Sequence, residues 1–271
     1  MQVICLPRVQ RLFVSITFFI LAVGLAWGQG GTVIGTIHLT ATPPPNPAIR
    51  MGADPNCLKI NAGKRIFLPL VNRSSDGGLE NVFVYVQGSF PQAHGGSGNV
   101  TLEQQGCMYH PDIMGAQVGQ TLIIKNDDST LHNIHAVDPS KKYDFNQSQP
   151  GAGLSFSVPL KSEEVLLHVK CNVHPWMSGY IGIVSSPYFA VSDDAGKFKI
   201  ENVPAGKQTI EVWHQMYGPL TATVDVKAGG TTTADFTYTG NEKPAASMSL
   251  PMQEITIPDG TTTATFIPPA R

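Results

Sequence analysis

Seven consecutive residues, Cys171-Asn-Val-His174-Pro-Trp-Met177, supply a thiol, an imidazole and a thioether at C-x2-H-x2-M spacing. One tight turn must then present all three groups to one point. Two strands of a β-sandwich hold such a loop open at one end, so this feature constrains the fold before anything else does. The ligand set suits copper in a trigonal His2Cys site with a weak axial Met. A second imidazole is available at Leu131-His132-Asn133-Ile134-His135, which follows the strand-like run from Gly119 to Ser129. A C-x2-H spacing alone also occurs in zinc sites and around structural cysteines. Met177 three residues on, and an N-x-D-x3-H-N pattern from Asn126 to Asn133, narrow the reading to copper. A backbone that sets the geometry would leave copper little to reorganise between Cu(I) and Cu(II), which favours one-electron exchange.

The patterns G-x-T-L-x3-N-x-D-x3-H-N (from Gly119) and C-x2-H-P-x-M-x-G (from Cys171) resemble the cupredoxins, and within them the amicyanin and plastocyanin group. The resemblance covers residues 119–184, with loop spacing similar to that of amicyanin. It implies one type 1 copper held by His132, Cys171, His174 and Met177, with Asn133 tying the two ligand loops together. It also implies that electrons pass through an exposed edge of His174, with Pro175 and Trp176 beside it as a docking surface. The partner implied is a c-type cytochrome or a membrane electron-transfer complex. Val173 stands where amicyanin has Pro; its N–H is free to donate to the thiolate and raise the reduction potential.

Residues 1–28 read as a signal peptide: Arg8 and Arg11, an apolar stretch from Leu12 to Ala26, and the small-x-small end Ala26-Trp27-Gly28. No other stretch is long and apolar enough to span a bilayer. The expectation is a periplasmic or secreted protein with no membrane span after cleavage. Removing Arg8 and Arg11 leaves 16 Lys+Arg against 20 Asp+Glu, a net charge of −4. With no basic run, nucleic acid is not expected as a partner.

Of the four cysteines, Cys5 lies in the removed segment. If Cys171 is a thiolate ligand, Cys57 and Cys107 remain as a pair, and an oxidising compartment favours a disulfide between them. The alternatives are a second metal site, since Cys107 and His110 repeat the C-x2-H spacing, or free thiols.

Strand signals run through the chain, at Thr32–Leu39, Asn81–Gln87, Thr121–Lys125, Ser155–Val158, Val165–Lys170 and Tyr180–Val184. No amphipathic helix of useful length is present. The fold class is therefore all-β, a Greek-key sandwich with a second, smaller β-sandwich. Alternation puts His132 and Ile134 on one face of their strand and His135 on the other, which excludes His135 as a ligand.

A boundary falls near Ser185-Ser-Pro187. Beyond it, D-x-x-G-K-F-x-I-x-N-V-P-A-G-x3-I-x-V-W-H resembles the carboxypeptidase regulatory-like (prealbumin-like) module, with Asp194-Ala-Gly196 and Pro204-Ala-Gly206 expected to close hairpins. His214 in that stretch reads as a packed strand residue. The expected division is residues 29–78 as an extended N-terminal segment, 79–186 as the copper domain, 187–240 as the regulatory-like module and 241–271 as a Pro/Thr-rich tail. Residues 32–57 look like the opening of that module. The functions to weigh are an electron carrier, copper storage or delivery, and a structural or adhesive protein with a vestigial site. The chain lacks the G-x-S-x-G and H-E-x-x-H patterns of hydrolases, so an enzyme is not expected.

Overall fold

The computed structural model describes residues 29–93 and 95–243 and, as backbone alone, 252–256 and 262–266. The expected signal peptide and part of the tail lie outside the described residues. The first elements are β1 (Gly31–Leu39), helix α1 (Pro55–Ile60) and β2 (Phe83–Gln87). Next come β3 (Asn99–Gln105), β4 (Met108–His110), β5 (Ile113–Gln117), β6 (Thr121–Asn126) and β7 (His132–Val137). They lead to β8 (Asn146–Gln149), β9 (Leu154–Pro159), β10 (Glu164–Lys170) and β11 (Ser178–Val184). β12 (Phe189–Val191), β13 (Lys197–Val203), β14 (Gly206–His214) and β15 (Gly218–Val226) follow. The last are β16 (Thr231–Thr233), β17 (Phe236–Tyr238) and a hairpin of β18 (Met252–Thr256) and β19 (Thr262–Phe266).

Two sandwiches result. In the first, the sheet β5-β11-β10-β7-β8 faces the sheet β4-β3-β6-β9. Leu122, Ile124, Ile134, Val169 and Ile181 fill the space between them. Alternation explains why these residues make strands: β6 turns Leu122, Ile124 and Asn126 inward, and β7 turns His132, Ile134 and Ala136 inward. A ligand candidate therefore sits on the core face of β7. In the second sandwich, β13-β1-β16, with β17 also on β1, covers β12-β2-β14-β15. Its core includes Val33, Ile37, Val84, Ile210 and Val212.

Two expectations change here. β2 was expected in the copper domain, but it pairs with β12 and β14 of the second sandwich. The reason is burial on both faces: Val84 and Val86 enter the second core, while Phe83 points into the junction with the first sandwich. The first sandwich, β3 to β11, is thus inserted between strands of the second. The turns at Asp194–Gly196 and Pro204–Gly206 do not close hairpins either. β12 lies in one sheet of the second sandwich, β13 in the facing one, and β14 back in the first, so each turn crosses between sheets. The hairpin in this stretch is β14–β15. Residues 31–39 do join the C-terminal strands, antiparallel to β13 and parallel to β16 and β17.

Phe83, Ile113, Leu166, Tyr180, Val184 and Trp213 form the apolar junction between the sandwiches. Gly182 of β11 lies under the Phe83 ring, and an added Cβ would run into that ring. Gly182→Ala is expected to cost about 1–3 kcal/mol through overpacking. A denaturant midpoint equal to wild type would show that the two sandwiches do not rest on each other there.

Between β1 and β2 the chain leaves the second sandwich and crosses an end of the first. Cys57 in α1 is disulfide-bonded to Cys107 in the β3–β4 turn, 50 residues away. Met51 and Met108 pack around the disulfide, with Ile49, Ile60, Ile66 and Trp176 against them. Asn61 adds a hydrogen bond from its Nδ2 to the Gly106 carbonyl. We call residues 46–73 the strap.

Candidate metal centre

The Cys171–Met177 loop closes on itself through its backbone. The Cys171 N–H donates to the Met177 carbonyl at 3.0 Å, and the Met177 N–H donates to the His174 carbonyl at 2.9 Å. The loop is thereby held between β10 and β11, as its spacing requires. Across from it, the β6–β7 turn is pinned by Asn126, whose Nδ2 donates to the carbonyls of Thr130 and Gln149 and whose Oδ1 accepts the Asp128 N–H. Asn133 joins the two loops: its Oδ1 accepts the Asn172 N–H at 3.0 Å.

These constraints bring His132, Cys171 and His174 together. One nitrogen of each ring and the Cys171 Sγ all lie within 4.8 Å of one another. His132 Nδ1 and His174 Nδ1 are 3.0 Å apart, and His174 Nδ1 is 3.8 Å from Cys171 Sγ. The three are 0%, 2% and 1% exposed in the order His132, Cys171, His174, so none of them faces solvent. Met177 is fully buried in the same core.

The opposite nitrogens meet carboxylates. His132 Nε2 is 2.8 Å from Asp128 Oδ2, and His174 Nε2 is 2.8 Å from Asp54 Oδ2. An ionised carboxylate only accepts, so each Nε2 carries a hydrogen and each ring turns its Nδ1 inward. Two Nδ1 atoms facing each other at 3.0 Å beside a sulfur need a proton or a metal ion between them, since two bare lone pairs would repel. Burial works against a charged Cys171, but hydrogen bonds from the His174 ring and from the His174 and Val173 backbone outweigh it and hold the thiol below its ordinary range. Burial likewise opposes Asp54 and Asp128, yet both are held low, chiefly by their histidines and by backbone N–H groups. Two imidazole nitrogens and a thiolate-prone sulfur in a buried pocket are a donor set that fits copper.

Asp54 and Asp128 are the site residues that sequence reasoning missed. Asp128 stands inside the quoted N-x-D-x3-H-N pattern, but its role as the partner of His132 was not assigned. Asp54 precedes Pro55, which marks a helix start and nothing more. Its Oδ1 accepts the Asn56 and Cys57 N–H groups as the cap of α1.

The expected electron port changes. His174 has no exposed edge, because the strap covers it: Asp54 bonds its Nε2, and Cys57 Sγ lies 3.5 Å from the same atom. Trp176 is half-buried, donates from Nε1 to the Cys107 carbonyl at 2.9 Å and packs beside the disulfide. Pro175 is exposed, as is Val173. His135 turns away from the cluster and bonds Asn172. Cys107 does not pair with His110; His110 is exposed and Cys107 is in the disulfide. His214 is buried in the second sandwich, accepts the Met216 N–H and is pushed down to about 3 by burial, as a packing residue would be.

No protein-family model matches the chain, and no curated protein does. Among solved structures, a Cu-containing nitrite reductase from Thermus scotoductus is similar over 31% of this chain, with 21% identity and a TM-score of 0.30. The chain spans 22% of that enzyme's length. A purple cupredoxin from Nitrosopumilus maritimus is 31% identical over 28% of this chain and 81% of its own, with a TM-score of 0.25. An amicyanin variant in its Cu(I) form is 17% identical over 37% of this chain and 97% of its own, with a TM-score of 0.28. Among the described residues, no helix is long and apolar enough to cross a membrane.

Proposed function

We propose that this protein is an exported type 1 copper protein that carries single electrons between redox partners. The observation that supports this best is the pair of inward Nδ1 atoms, 3.0 Å apart and beside Cys171. A thiolate, two imidazoles and Met177 as a weak axial ligand select copper over the harder cations and disfavour zinc, which rarely takes a thioether. Bound copper supplies a one-electron couple. The chain supplies the fixed geometry: β10 and β11 hold the loop, Asn133 ties it to β7, and carboxylates brace both imidazoles from behind. Storage or delivery would call for exposed, exchangeable ligands, and these are buried.

A redox partner such as a c-type cytochrome or a membrane electron-transfer complex would dock on Val173 and Pro175, the exposed residues flanking His174, with Trp176 as a buttress behind them. A transient contact of this kind buries less than about 1,200 Å². The second sandwich, which resembles a carboxypeptidase regulatory-like module, acts as a platform that anchors the strap at both ends. Titrating the protein with Cu(II) is expected to yield one copper per chain and an intense thiolate-to-copper band in the visible. Copper binding without that band, or tighter binding of Zn(II) than of copper, would overturn the reading.

A further inference from the structure

We propose that Asp54 is a positioning residue for the metal centre, delivered by the strap to seal and orient His174. The inference rests on the copper reading above and adds to it a residue from outside the sandwich that holds the ligands. Asp54 uses both of its oxygens. Oδ1 caps α1 by accepting from Asn56 and Cys57 at 2.7 and 3.3 Å. Oδ2 accepts from His174 Nε2 at 2.8 Å and from the Thr130 hydroxyl at 3.1 Å. The helix cap thus sets the aim of the oxygen that braces the imidazole. The disulfide at Cys57 fixes the helix to the β3–β4 turn, and Asn56 Nδ2 donates to Thr130 Oγ1 on the far side.

The His132 side is built the same way from inside the sandwich. Asp128 Oδ2 accepts from His132 and from the Cys107 N–H at 2.7 Å, and Oδ1 accepts the Gly106 N–H at 2.8 Å. Both imidazoles are thereby fixed in one tautomer and one orientation by acceptors that meet at the two ends of a single disulfide. Partners of this kind typically contribute 10- to 100-fold to metal affinity. A carboxylate adds negative charge close to the metal, which favours Cu(II) over Cu(I).

Asp54→Asn separates the two jobs of the side chain. Asn caps a helix about as well as Asp, so its oxygen can keep α1 in place. Its amide nitrogen then faces the His174 N–H, donor against donor, and the charge is gone. Asp54→Ser is the second variant: it also caps, and it withdraws from His174 altogether.

Both variants and wild type are loaded with copper, and the affinities for Cu(II) and Cu(I) are measured separately by competition with chelators. The expected result is a loss of about 10- to 100-fold in Cu(II) affinity. The loss for Cu(I) is expected to be smaller, so the reduction potential rises while the disulfide and the melting temperature of the metal-free protein are kept. If the visible band is intact but both affinities and the potential match wild type, the inference is overturned. It is equally overturned if both variants lose Cu(II) and Cu(I) in equal proportion together with a fall in melting temperature, which would make Asp54 a helix cap alone. Absence of the band in wild type would instead remove the copper reading itself.

Discussion

Cys171→Ser is expected to abolish the visible absorption of the copper-loaded protein completely. Cys171 is the free cysteine among the described residues, so no other sulfur of that kind is at hand to replace it. A serine hydroxyl is a hard, weakly acidic donor that does not give the low-energy charge transfer of a thiolate. The change removes one of three inward donors and leaves His132 and His174 facing each other, so Cu(I) affinity should fall furthest. The fold should survive, because the neighbouring His174 N–H, which lies 3.4 Å from the sulfur, can serve the new hydroxyl. Absorbance and metal content, recorded together with a melting curve of the metal-free form, test this. A band that persisted in Cys171→Ser would mean that the thiolate is not a ligand.

Replacing Cys57 and Cys107 together by Ser should produce the largest stability loss. A disulfide closing 50 residues restricts the unfolded chain by about 4 kcal/mol in the chain-entropy account, and measured losses run from about 2 to 5 kcal/mol. Both sulfurs are also fully buried among Met51, Met108 and Trp176. Two serine hydroxyls there would lack good partners and add to the cost. The denaturant midpoint should fall accordingly, and the amides of α1 should lose protection against hydrogen exchange first. An unchanged midpoint would show that the strap is held by its other contacts alone.

How far the site was legible in the sequence differs from residue to residue. Cys171, His174 and Met177 lie within one loop, so their spacing is written in the chain, and alternation on β7 placed His132 inward and His135 outward. Asn133 was reached through resemblance. Asp54 was not legible, because it comes from 120 residues away and no local pattern says which end of which sandwich α1 will meet. The closing of the His174 edge was missed for the same reason. At the level of fold, short alternating strands declared an all-β chain. Which strands share a sheet was not readable for β2, whose run of buried residues is compatible with either core. The turns after β12 and β13 carry ordinary hairpin residues, and only the facing sheets decide that the chain crosses over. Local signals specify strands and turns, while pairing is settled by long-range burial.

The position of the disulfide has a consequence for biogenesis. Leaving aside Cys5 in the expected signal peptide, a chain that leaves the ribosome, or a translocation pore, from its amino end presents Cys57 first and Cys107 next, and Cys171 a further 64 residues on. The first two thiols can therefore oxidise with each other before the third has emerged. The Cys171 thiol is spared by the order of appearance. Moving the same three cysteines into another order along the chain would keep the final architecture and lose that protection.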